Sequence, residues 1–502
     1  MNKTPQLKLV LVNFWHFPVK TPHFGLISLA AYIRKKIPNI KIIIIEGINP
    51  YKKIIACQPD LVGFTSDTLV YKKTLQKAKQ LRKKLKTPFI LGGVHITALS
   101  ESFDSVFDIG VLGEGEITMV ELLKIFRKKH HFFINDLKKI NGVIFFEKKK
   151  LIQTDKRKLI KNIDELPYPA RDLIPMEDYY LKDQLNLFGV KRLATLMTSR
   201  GCPYRCIFCG SPVQWGSVRF HSPKYVVGEI KMLLEKYKID GIMFWDDLFI
   251  IPEARIKKIC QLIKNEGLDK KITYFGYARA NLINEDICRL LKSINVKRLI
   301  FGFESGSEKI LSYLKKKSVS LADNRKTVKL CRKYSIAVSS GFITGTPGET
   351  LEDLQKTYQF MKKYPLDNSQ IYILTPYPGT ETWQQAKKKG LVSKAMDFNK
   401  LFVQLPPLKL LDFLRKDKSS FIKNRVFLNK EHTNSIKYLR LIFKMQKLAF
   451  WQNLMFYLKL IPKDLSLILK ILKVQLFAKF GSQKAGNKVN SICQMSAENS
   501  RD

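Results

Sequence analysis

Short apolar runs alternate with amphipathic helical segments through two long stretches of this chain, residues 7–130 and 193–380. The helical pattern is clearest at Tyr71–Leu85, where apolar side chains recur on one face. Strands that are separated by helices form parallel sheets, because each crossover returns along a sheet face. The sequence therefore predicts an α/β protein with two parallel sheets, whose ligands bind at the carboxyl ends of the strands.

The first stretch contains five expected strands, which predict a doubly wound, Rossmann-like sheet. These strands are Leu7–Val12, Lys41–Ile45, Leu61–Thr65, Phe89–Gly92 and Ile109–Leu112. The second stretch contains six, which fit a partial (β/α)6 barrel of the TIM type. These strands are Leu193–Thr198, Gly241–Trp245, Ile272–Ala278, Arg298–Phe303, Ala337–Phe342 and Ser369–Leu374.

The composition is that of a globular protein with several domains. The chain has 502 residues, of which 45% are apolar and 26% are charged. We find no secretory signal and no uncharged run long enough to span a membrane. Eight cysteines are few for this length, so we expect a cytoplasmic protein in a reducing compartment. The net charge of +45 comes without a nucleic-acid-binding motif, and no specific nucleic acid partner is expected.

Cys202, Cys206 and Cys209 form a CxxxCxxC run directly after the first strand of the second stretch. An odd number of thiols in one loop cannot form a closed disulfide framework, and structural zinc prefers four protein ligands, which this loop lacks. An iron–sulfur cluster also takes cysteine thiolates. A [4Fe–4S] cluster held by three thiolates has one iron open to a small molecule. The alternatives are a zinc loop and three unrelated thiols.

The cysteine spacing, with the aromatic Phe208 before the last cysteine, resembles the radical S-adenosylmethionine (SAM) superfamily. The resemblance implies that the cysteines hold the cluster, that the open iron binds SAM, and that reductive cleavage gives a 5′-deoxyadenosyl radical. It places Phe208 beside the adenine, and Asp246 and Asp247 beside the SAM amine. Arg279 then binds the SAM carboxylate or ribose, and Glu304 points into the cleft. The plainer alternatives are that Asp247 caps a helix and that Arg279 pairs with Asp246. Two further matching clusters are Gly345–Thr350 and Thr375–Thr380.

The loops after the third, fourth and fifth strands are rich in glycine and small hydroxyl side chains. Their candidate cofactor contacts are Thr65, Ser66, Gly92, Gly93, Gly113 and Glu114. Glycine lets a backbone approach a large flat ligand closely. Together with Phe24–Ile33, these loops resemble the cobalamin-binding domain that precedes many radical SAM domains. The Asp-x-His-x-x-Gly motif of cobalt-ligating domains is absent, because the chain has Asn13–Pro18 there, with His16 as a minority candidate. The alternative is a sheet that has lost its cofactor.

The predicted organisation has five parts. They are a cobalamin-binding-like Rossmann domain at 1–135, a linker at 136–192, the radical SAM domain at 193–392, a basic helical extension at 393–480 and a disordered tail at 481–502. Segment 437–480 combines nine Lys or Arg with many aromatic and aliphatic side chains. Two interpretations stay open for it: peripheral contact with the inner face of the membrane, or packing on the barrel.

These features together predict a cobalamin-dependent radical SAM methyltransferase that acts on an unactivated carbon. One SAM supplies a methyl group through cobalamin, and a second supplies the radical. The first alternative is a cobalamin-dependent cyclase or oxidase without methyl transfer. The alternative from another class is a non-catalytic iron–sulfur or membrane-associated binding protein. The expected partners are a reductant such as flavodoxin or ferredoxin and a small-molecule or lipid-like substrate.

Overall fold

The computed structural model describes residues 6–15, 22–179, 188–401 and 436–460. Its first sheet has the strand order β2-β1-β3-β4-β5-β6-β7. The strands are β1 (Leu7–Phe14), β2 (Ile40–Gly47), β3 (Leu61–Thr65), β4 (Phe89–Gly92), β5 (Ile109–Val111), β6 (Val143–Glu147) and β7 (Lys150–Gln153). Strands β1 to β5 are parallel, and β6 and β7 add an antiparallel hairpin. The strand order reverses between β1 and β3, which is where doubly wound sheets bind ligands.

Helices cover both faces of this sheet and bury its aliphatic side chains. They are α1 (Phe24–Lys36), α2 (Tyr51–Ala56), α3 (Tyr71–Arg82), α4 (Val94–Ala98), α5 (Gly115–Lys129) and α6 (Ile134–Leu137), with α7 (Met176–Tyr179) later in the chain. Helices α1 and α5 contribute to one apolar layer and α3 to the other. Helix α3 shows why the periodicity predicts it, since Tyr71, Ala78 and Leu81 are buried on one face.

The second sheet has six parallel strands in the order β15-β14-β13-β12-β11-β8. They are β8 (Leu193–Leu196), β11 (Gly241–Phe244), β12 (Thr273–Ala278), β13 (Val296–Glu304), β14 (Ala337–Thr344) and β15 (Asn368–Ile373). Each strand pairs with the next strand of the series, as in a barrel that has not closed. Two short antiparallel strands, β9 (Ser199–Arg200) and β10 (Arg219–Phe220), follow β8.

Helices connect the strands of the second sheet. They are α8 (Ser211–Trp215), α9 (Pro223–Tyr237), α10 (Glu253–Asn265), α11 (Glu285–Ser293), α12 (Glu308–Lys315), α13 (Leu321–Lys333), α14 (Leu351–Lys363), α15 (Glu381–Lys388) and α16 (Ile436–Leu460). Several begin at side-chain caps, and α13 and α14 have capping boxes at Ser320 and Thr350. These caps fix the strand-to-helix loops and hence the strand ends that carry the candidate site.

The two sheets are joined by residues that follow the barrel. Trp383, Val392, Phe398 and Leu401 belong to the same apolar cluster as the α3 side of the first sheet. The Phe398 ring lies edge-on to His95, with centroids 4.8 Å apart. The chain therefore folds back from the barrel onto the first sheet, and this apolar contact helps to fix the position of one sheet against the other.

Helix α16 covers β15, the edge strand of the open barrel. The Asn453 amide accepts from the Ser369 backbone N–H at 2.7 Å and donates to the Ser369 carbonyl at 3.1 Å. Tyr438 is buried and donates to the Glu349 carboxylate at 2.7 Å. For 436–456, these contacts support packing on the barrel over the membrane interpretation. Residues 461–480 of the predicted basic segment lie outside the described residues, and no described helix is long and apolar enough to cross a membrane.

The predicted α/β architecture is confirmed, and all eleven predicted strands are present with ends that differ by at most two residues. The first sheet extends to Gln153, so β6 and β7 lie within the segment that we predicted as a linker. The domain limits themselves remain predictions.

Candidate functional site

Loops at the carboxyl ends of both parallel sheets line one cavity of about 1030 Å³. The first sheet contributes residues that follow β1, β3, β4 and β5, and the second contributes residues that follow β8, β11 and β15. This volume is at the upper end of the range for small-molecule sites, so the cavity has room for a large cofactor. The two sheets face each other across it with their strand ends inward.

Seven of the eleven predicted SAM and cobalamin contacts line this cavity. They are Thr65, Ser66, Gly92, Gly93, Gly113, Glu114 and Asp247. The remaining four, Phe208, Asp246, Arg279 and Glu304, occupy positions that do not line it. His16 lies outside the described residues.

The predicted glycines of the first sheet are in different surroundings. Gly93 has φ +106°, and a Cβ there would lie 2.6 Å from the Ser66 carbonyl oxygen and 2.7 Å from the Ser66 nitrogen. It therefore serves the close packing of the β3 and β4 loops. Gly113 has φ +74°, and a Cβ there would meet nothing within 4 Å. Gly113 thus borders open space in the cavity, as expected of a position beside a bulky ligand.

Glu114 contacts the barrel directly. Its carboxylate accepts from Arg200 Nη1 at 2.6 Å and from Arg219 Nη1 at 2.8 and 2.9 Å. It also accepts from the Ile160 backbone N–H at 3.1 Å. These donors hold the pKa of Glu114 below its usual value despite its burial, which acts to raise it. The carboxylate that we predicted as a cofactor contact is therefore ionised and fully bonded within the protein.

The three cysteines lie on the loop between β9 and α8. All three thiols are free and partly exposed. Burial raises the pKa of Cys209 to about 12 and also raises that of Cys202, and the other thiols and Asp247 add to both shifts. A metal that binds here must therefore displace protons from the thiols.

The donor set of this loop fits an iron–sulfur cluster. No described trio of His, Cys, Asp or Glu side chains is close enough to ligate one metal ion. A cluster needs no such trio, because each thiolate binds a different iron. The loop is also fixed from outside, since the Ile207 N–H donates to the Leu314 carbonyl at 3.1 Å and the Ile207 carbonyl accepts from the Thr382 N–H at 3.1 Å. Three thiols on a fixed loop beside a large cavity are suited to a cluster that reacts with a ligand in that cavity.

The adjacent carboxylates after β11 have separate environments. Asp246 is buried, and its Oδ1 accepts from the Thr198 N–H at 3.0 Å and the Ser199 hydroxyl at 2.5 Å. Its Oδ2 is buried without a hydrogen-bond partner among the described residues. Asp247 accepts from the Ser211 hydroxyl at 2.6 Å and lines the cavity. Burial raises the pKa of both carboxyl groups. Helix α10 begins at Glu253, so Asp247 is not its cap.

Arg279 lies against the cysteine loop. Its Nη1 donates to the Cys206 Sγ at 3.4 Å, and its Nη2 donates to the Ser318 hydroxyl at 2.5 Å. The guanidinium carbon is 3.7 Å from the centroid of the Tyr204 ring. Arg279 thus donates to Cys206 and Ser318, whereas Asp246 accepts from Thr198 and Ser199, so the structure does not pair these two residues as the alternative had it. A guanidinium beside a cluster thiolate stabilises the negative charge of that thiolate.

Phe208 and Glu304 meet through a shared lysine. Glu304 ends β13 with φ +59° and forms a buried ion pair with Lys315 at 2.9 Å. The Lys315 ammonium is also 5.9 Å from the centroid of the Phe208 ring. Phe208 itself packs against an apolar group that includes Leu314 and Ile343. Both predicted residues thus lie on the side of the cysteine loop that faces the barrel.

The sequence reasoning missed several aromatic and polar residues that line the cavity. They are Met197, Gln214, Trp215, His221, Trp245 and Tyr372, whereas Tyr377 lies within the predicted cluster Thr375–Thr380. Trp245 directly precedes Asp246 after β11, and its position at a strand end was the available signal. His221 Nδ1 donates to the Asp164 carboxylate at 3.0 Å, and burial lowers the pKa of His221 to about 4.

Comparisons with known proteins agree with this architecture. The Radical SAM superfamily matches residues 196–361. An uncharacterized methyltransferase of Pyrococcus horikoshii is 34% identical over 414 residues, which are 80% of this chain and 86% of that protein. An anaerobic magnesium-protoporphyrin IX monomethyl ester cyclase of Rubrivivax gelatinosus is 27% identical over 400 residues, which are 75% of this chain and 68% of that protein. The solved structure of the radical SAM methyltransferase TsrM from Kitasatospora setae, with cobalamin and a [4Fe-4S] cluster bound, has a TM-score of 0.61 at 18% identity and covers 77% of this chain and 76% of that chain.

Proposed function

We propose that this chain, which belongs to the radical SAM superfamily in the branch with an N-terminal cobalamin-binding-type domain, is a cobalamin-dependent methyltransferase that acts on an unactivated carbon. The observation that carries this proposal is the single cavity between the two sheets. Gly113 lines this cavity on the side of the first sheet. Asp247, which lies near the cysteine loop, lines it on the side of the barrel.

The chain's own residues suit three bound groups. Cys202, Cys206 and Cys209 would hold the cluster, which supplies an electron to cleave SAM. Asp247 is suited to a cationic amine of SAM, because its carboxyl group lines the cavity and has one hydroxyl partner. Arg279 is suited to stabilising the Cys206 thiolate.

The first sheet would hold cobalamin, which supplies a methyl carrier when bound. Ser66, Gly92 and Gly113 lie at its strand ends along the cavity wall. The described residues contain no Asp-x-His-x-x-Gly loop after β1, so this proposal does not require a protein ligand to cobalt. The protein's part is to enclose the reacting groups and to exclude water.

The proposal also includes an electron donor and a contact with the membrane. The electron donor would be a small carrier such as flavodoxin or ferredoxin. Helix α16 buries Tyr438 against the barrel but leaves Trp451 half exposed, so contact with the inner membrane face would use the outer side of this helix. Weak binding of the full chain to anionic vesicles that disappears at high salt would support a peripheral location and a lipid-like substrate. Absence of such binding favours a small-molecule substrate in the cytoplasm.

A second candidate is a cobalamin-dependent cyclase or oxidase without methyl transfer. The specific observation in its favour is the similarity to the anaerobic cyclase of Rubrivivax gelatinosus over three quarters of this chain. The two candidates differ in the fate of the SAM methyl group, which is transferred in the first and retained on methionine in the second.

Substitution of one cluster cysteine tests the enzymatic part of the proposal. Cys206→Ala should lose the brown absorption near ~400 nm of a thiolate-held cluster and all 5′-deoxyadenosine formation with SAM and a strong reductant. The matched control is Cys260→Ala, because Cys260 is a buried thiol of α10 far from the loop in sequence. Formation of 5′-deoxyadenosine by the Cys206 variant would overturn the assignment.

A further inference from the structure

Two arginines at the base of the cysteine loop contact the first sheet. Strands β9 and β10 pair with Arg200 opposite Arg219, and the segment between them carries all three cysteines. We call this strand pair the neck. Because both ends of the loop leave the neck, the position of the neck determines the position of the cysteines.

The neck is bonded to the loop after β5. Arg200 donates to Glu114 at 2.6 Å and to Glu116 at 2.5 Å, and Arg219 donates to both oxygens of Glu114. All four side chains are at most 10% exposed. Two cations and two carboxylates therefore neutralise each other in a buried site, where geometry decides whether such a group is stable.

The same group reaches two further segments. Arg219 donates to the Ile160 carbonyl at 2.9 Å, and Glu114 accepts from the Ile160 N–H at 3.1 Å. Arg219 also donates to the carbonyl of Trp215, the last residue of α8, and the Arg200 guanidinium lies 5.3 Å from the Trp215 ring. The ion group thus contacts the chain before the cysteines, the chain after them, and the connecting segment.

The ion group links the cysteine loop to the cavity wall on the first sheet. Glu114 is the N-cap residue of α5 and Glu116 lies in its first turn, and both line the cavity on the side of the first sheet. Arg200 lies two residues before Cys202. A shift of either loop would break several charged hydrogen bonds at once, and the planar fork of an arginine allows little adjustment.

We propose that Arg200, with Glu114, Glu116 and Arg219, is a positioning device that sets the distance between the cysteine loop and the cofactor-binding loops of the first sheet. This inference rests on the proposed function for its purpose, since the distance matters only if both cofactors bind. The contacts themselves do not depend on it. Arg200 touches no reacting atom in this account and acts through the loops it joins.

Hydrogen–deuterium exchange on the full chain without added cofactors tests the device. In Arg200→Gln, amide exchange should rise at least about tenfold in residues 113–117 and in the neck, because the buried carboxylates Glu114 and Glu116 keep only one of their two cations. Amide exchange should rise less in Arg200→Lys, because an ammonium group keeps the positive charge but lacks the planar fork of the guanidinium. The matched control is Arg171→Lys, which weakens the buried Arg171–Glu229 pair, 2.6 Å long and made by residues outside both loops. Unchanged exchange in Arg200→Gln, or an equal rise in these segments in the control, would overturn the inference.

A second measurement addresses the distance directly. In protein loaded with cobalamin and a reduced cluster, the magnetic interaction between cob(II)alamin and the cluster should give one defined splitting by electron paramagnetic resonance. Arg200→Lys should broaden or reduce it, whereas Arg171→Lys should leave it unchanged even if its melting temperature falls. A narrow, unshifted splitting in Arg200→Lys would contradict the device. If the wild type retains no cobalamin, the proposed function fails, and the exchange experiment still decides the present inference.

Discussion

Gly113 and Gly93 both line the cavity, but they differ in what a side chain would meet. A Cβ at Gly93 would collide with the backbone of Ser66, so substitution there damages the loop itself. A Cβ at Gly113 would enter open space. The second position is therefore the one at which the loss of a cofactor can be separated from the loss of the fold.

Gly113→Asn should lower cobalamin retention at least about tenfold while the melting temperature stays close to that of the wild type. Asparagine tolerates a positive φ, so the substitution fills the cavity wall with little backbone strain. Gly267→Asn is the matched control, because Gly267 has φ +62°, open surroundings and no place in the cavity. Retention is measured by absorbance after anaerobic reconstitution and gel filtration. Equal retention by wild type and Gly113→Asn would mean that cobalamin does not lie against this loop.

Glu349 is a buried carboxyl group, and its titration should change the free energy of unfolding near neutral pH. Burial raises its pKa to about 7, although Tyr438 and the Gly345 N–H donate to it. The folded state therefore holds a proton between about pH 4.5 and 7 that the unfolded state releases. This contribution to stability is complete below about pH 4.5 and is lost as the pH rises through 7.

Glu349→Gln should remove that pH dependence. Relative to the variant, the wild type should lose on the order of 3 kcal/mol of unfolding free energy between pH 5 and pH 8, since one pKa unit corresponds to about 1.4 kcal/mol. Denaturant titrations at the two pH values measure the difference. Glu352→Gln, at an exposed neighbouring carboxylate, is the control. A constant difference between wild type and Glu349→Gln at both pH values would contradict the raised pKa.

At the scale of elements, helix α16 replaces the strand that an open barrel lacks at its edge. The Asn453 amide pairs with both backbone groups of Ser369 on β15, much as a neighbouring strand would. Gln452 adds a bond from its side-chain amide to the Met361 carbonyl on α14 at 2.9 Å. An exposed sheet edge is a site of unwanted pairing, and this helix protects it.

Asn453→Ala should destabilise the protein by about 1–3 kcal/mol, because two edge groups of β15 lose their partner. Trp451→Ala on the exposed side of the same helix should change the stability by less than about 0.5 kcal/mol. Both values come from reversible denaturant unfolding followed by circular dichroism. If the two substitutions cost the same, α16 does not use Asn453 to hold the barrel edge.

Elements are also where the sequence was most informative. Strands such as β3 (Leu61–Thr65) and β4 (Phe89–Gly92) were predicted to the residue, because their apolar runs are local signals. The cysteine spacing likewise predicted the superfamily, and this prediction is confirmed. The bonds from Arg200 and Arg219 to Glu114 could not be predicted, because they join residues 86 and 105 positions apart. No local pattern marks such partners.

For the whole molecule, the position of one sheet against the other depends on contacts from distant parts of the chain. The apolar contact of Trp383 and Phe398 with the first sheet and the buried ion group at Arg200 lie in separate places. The sequence predicted that ligands bind at the strand ends of both sheets, but not which residues would hold the two sheets against each other. The same arrangement makes the shared cavity a property of the entire chain, because each sheet supplies only part of its wall.

The most direct test of the central claim follows the methyl group of SAM. The full chain, anaerobically reconstituted with iron, sulfide and cobalamin, is incubated with SAM that carries a deuterated methyl group and a strong reductant. Mass spectrometry of the extracted cofactors should find the deuterated methyl group on protein-bound cobalamin together with 5′-deoxyadenosine. Retention of all deuterium on methionine, with 5′-deoxyadenosine still formed, would contradict methyl transfer and leave a radical SAM enzyme of the cyclase or oxidase type.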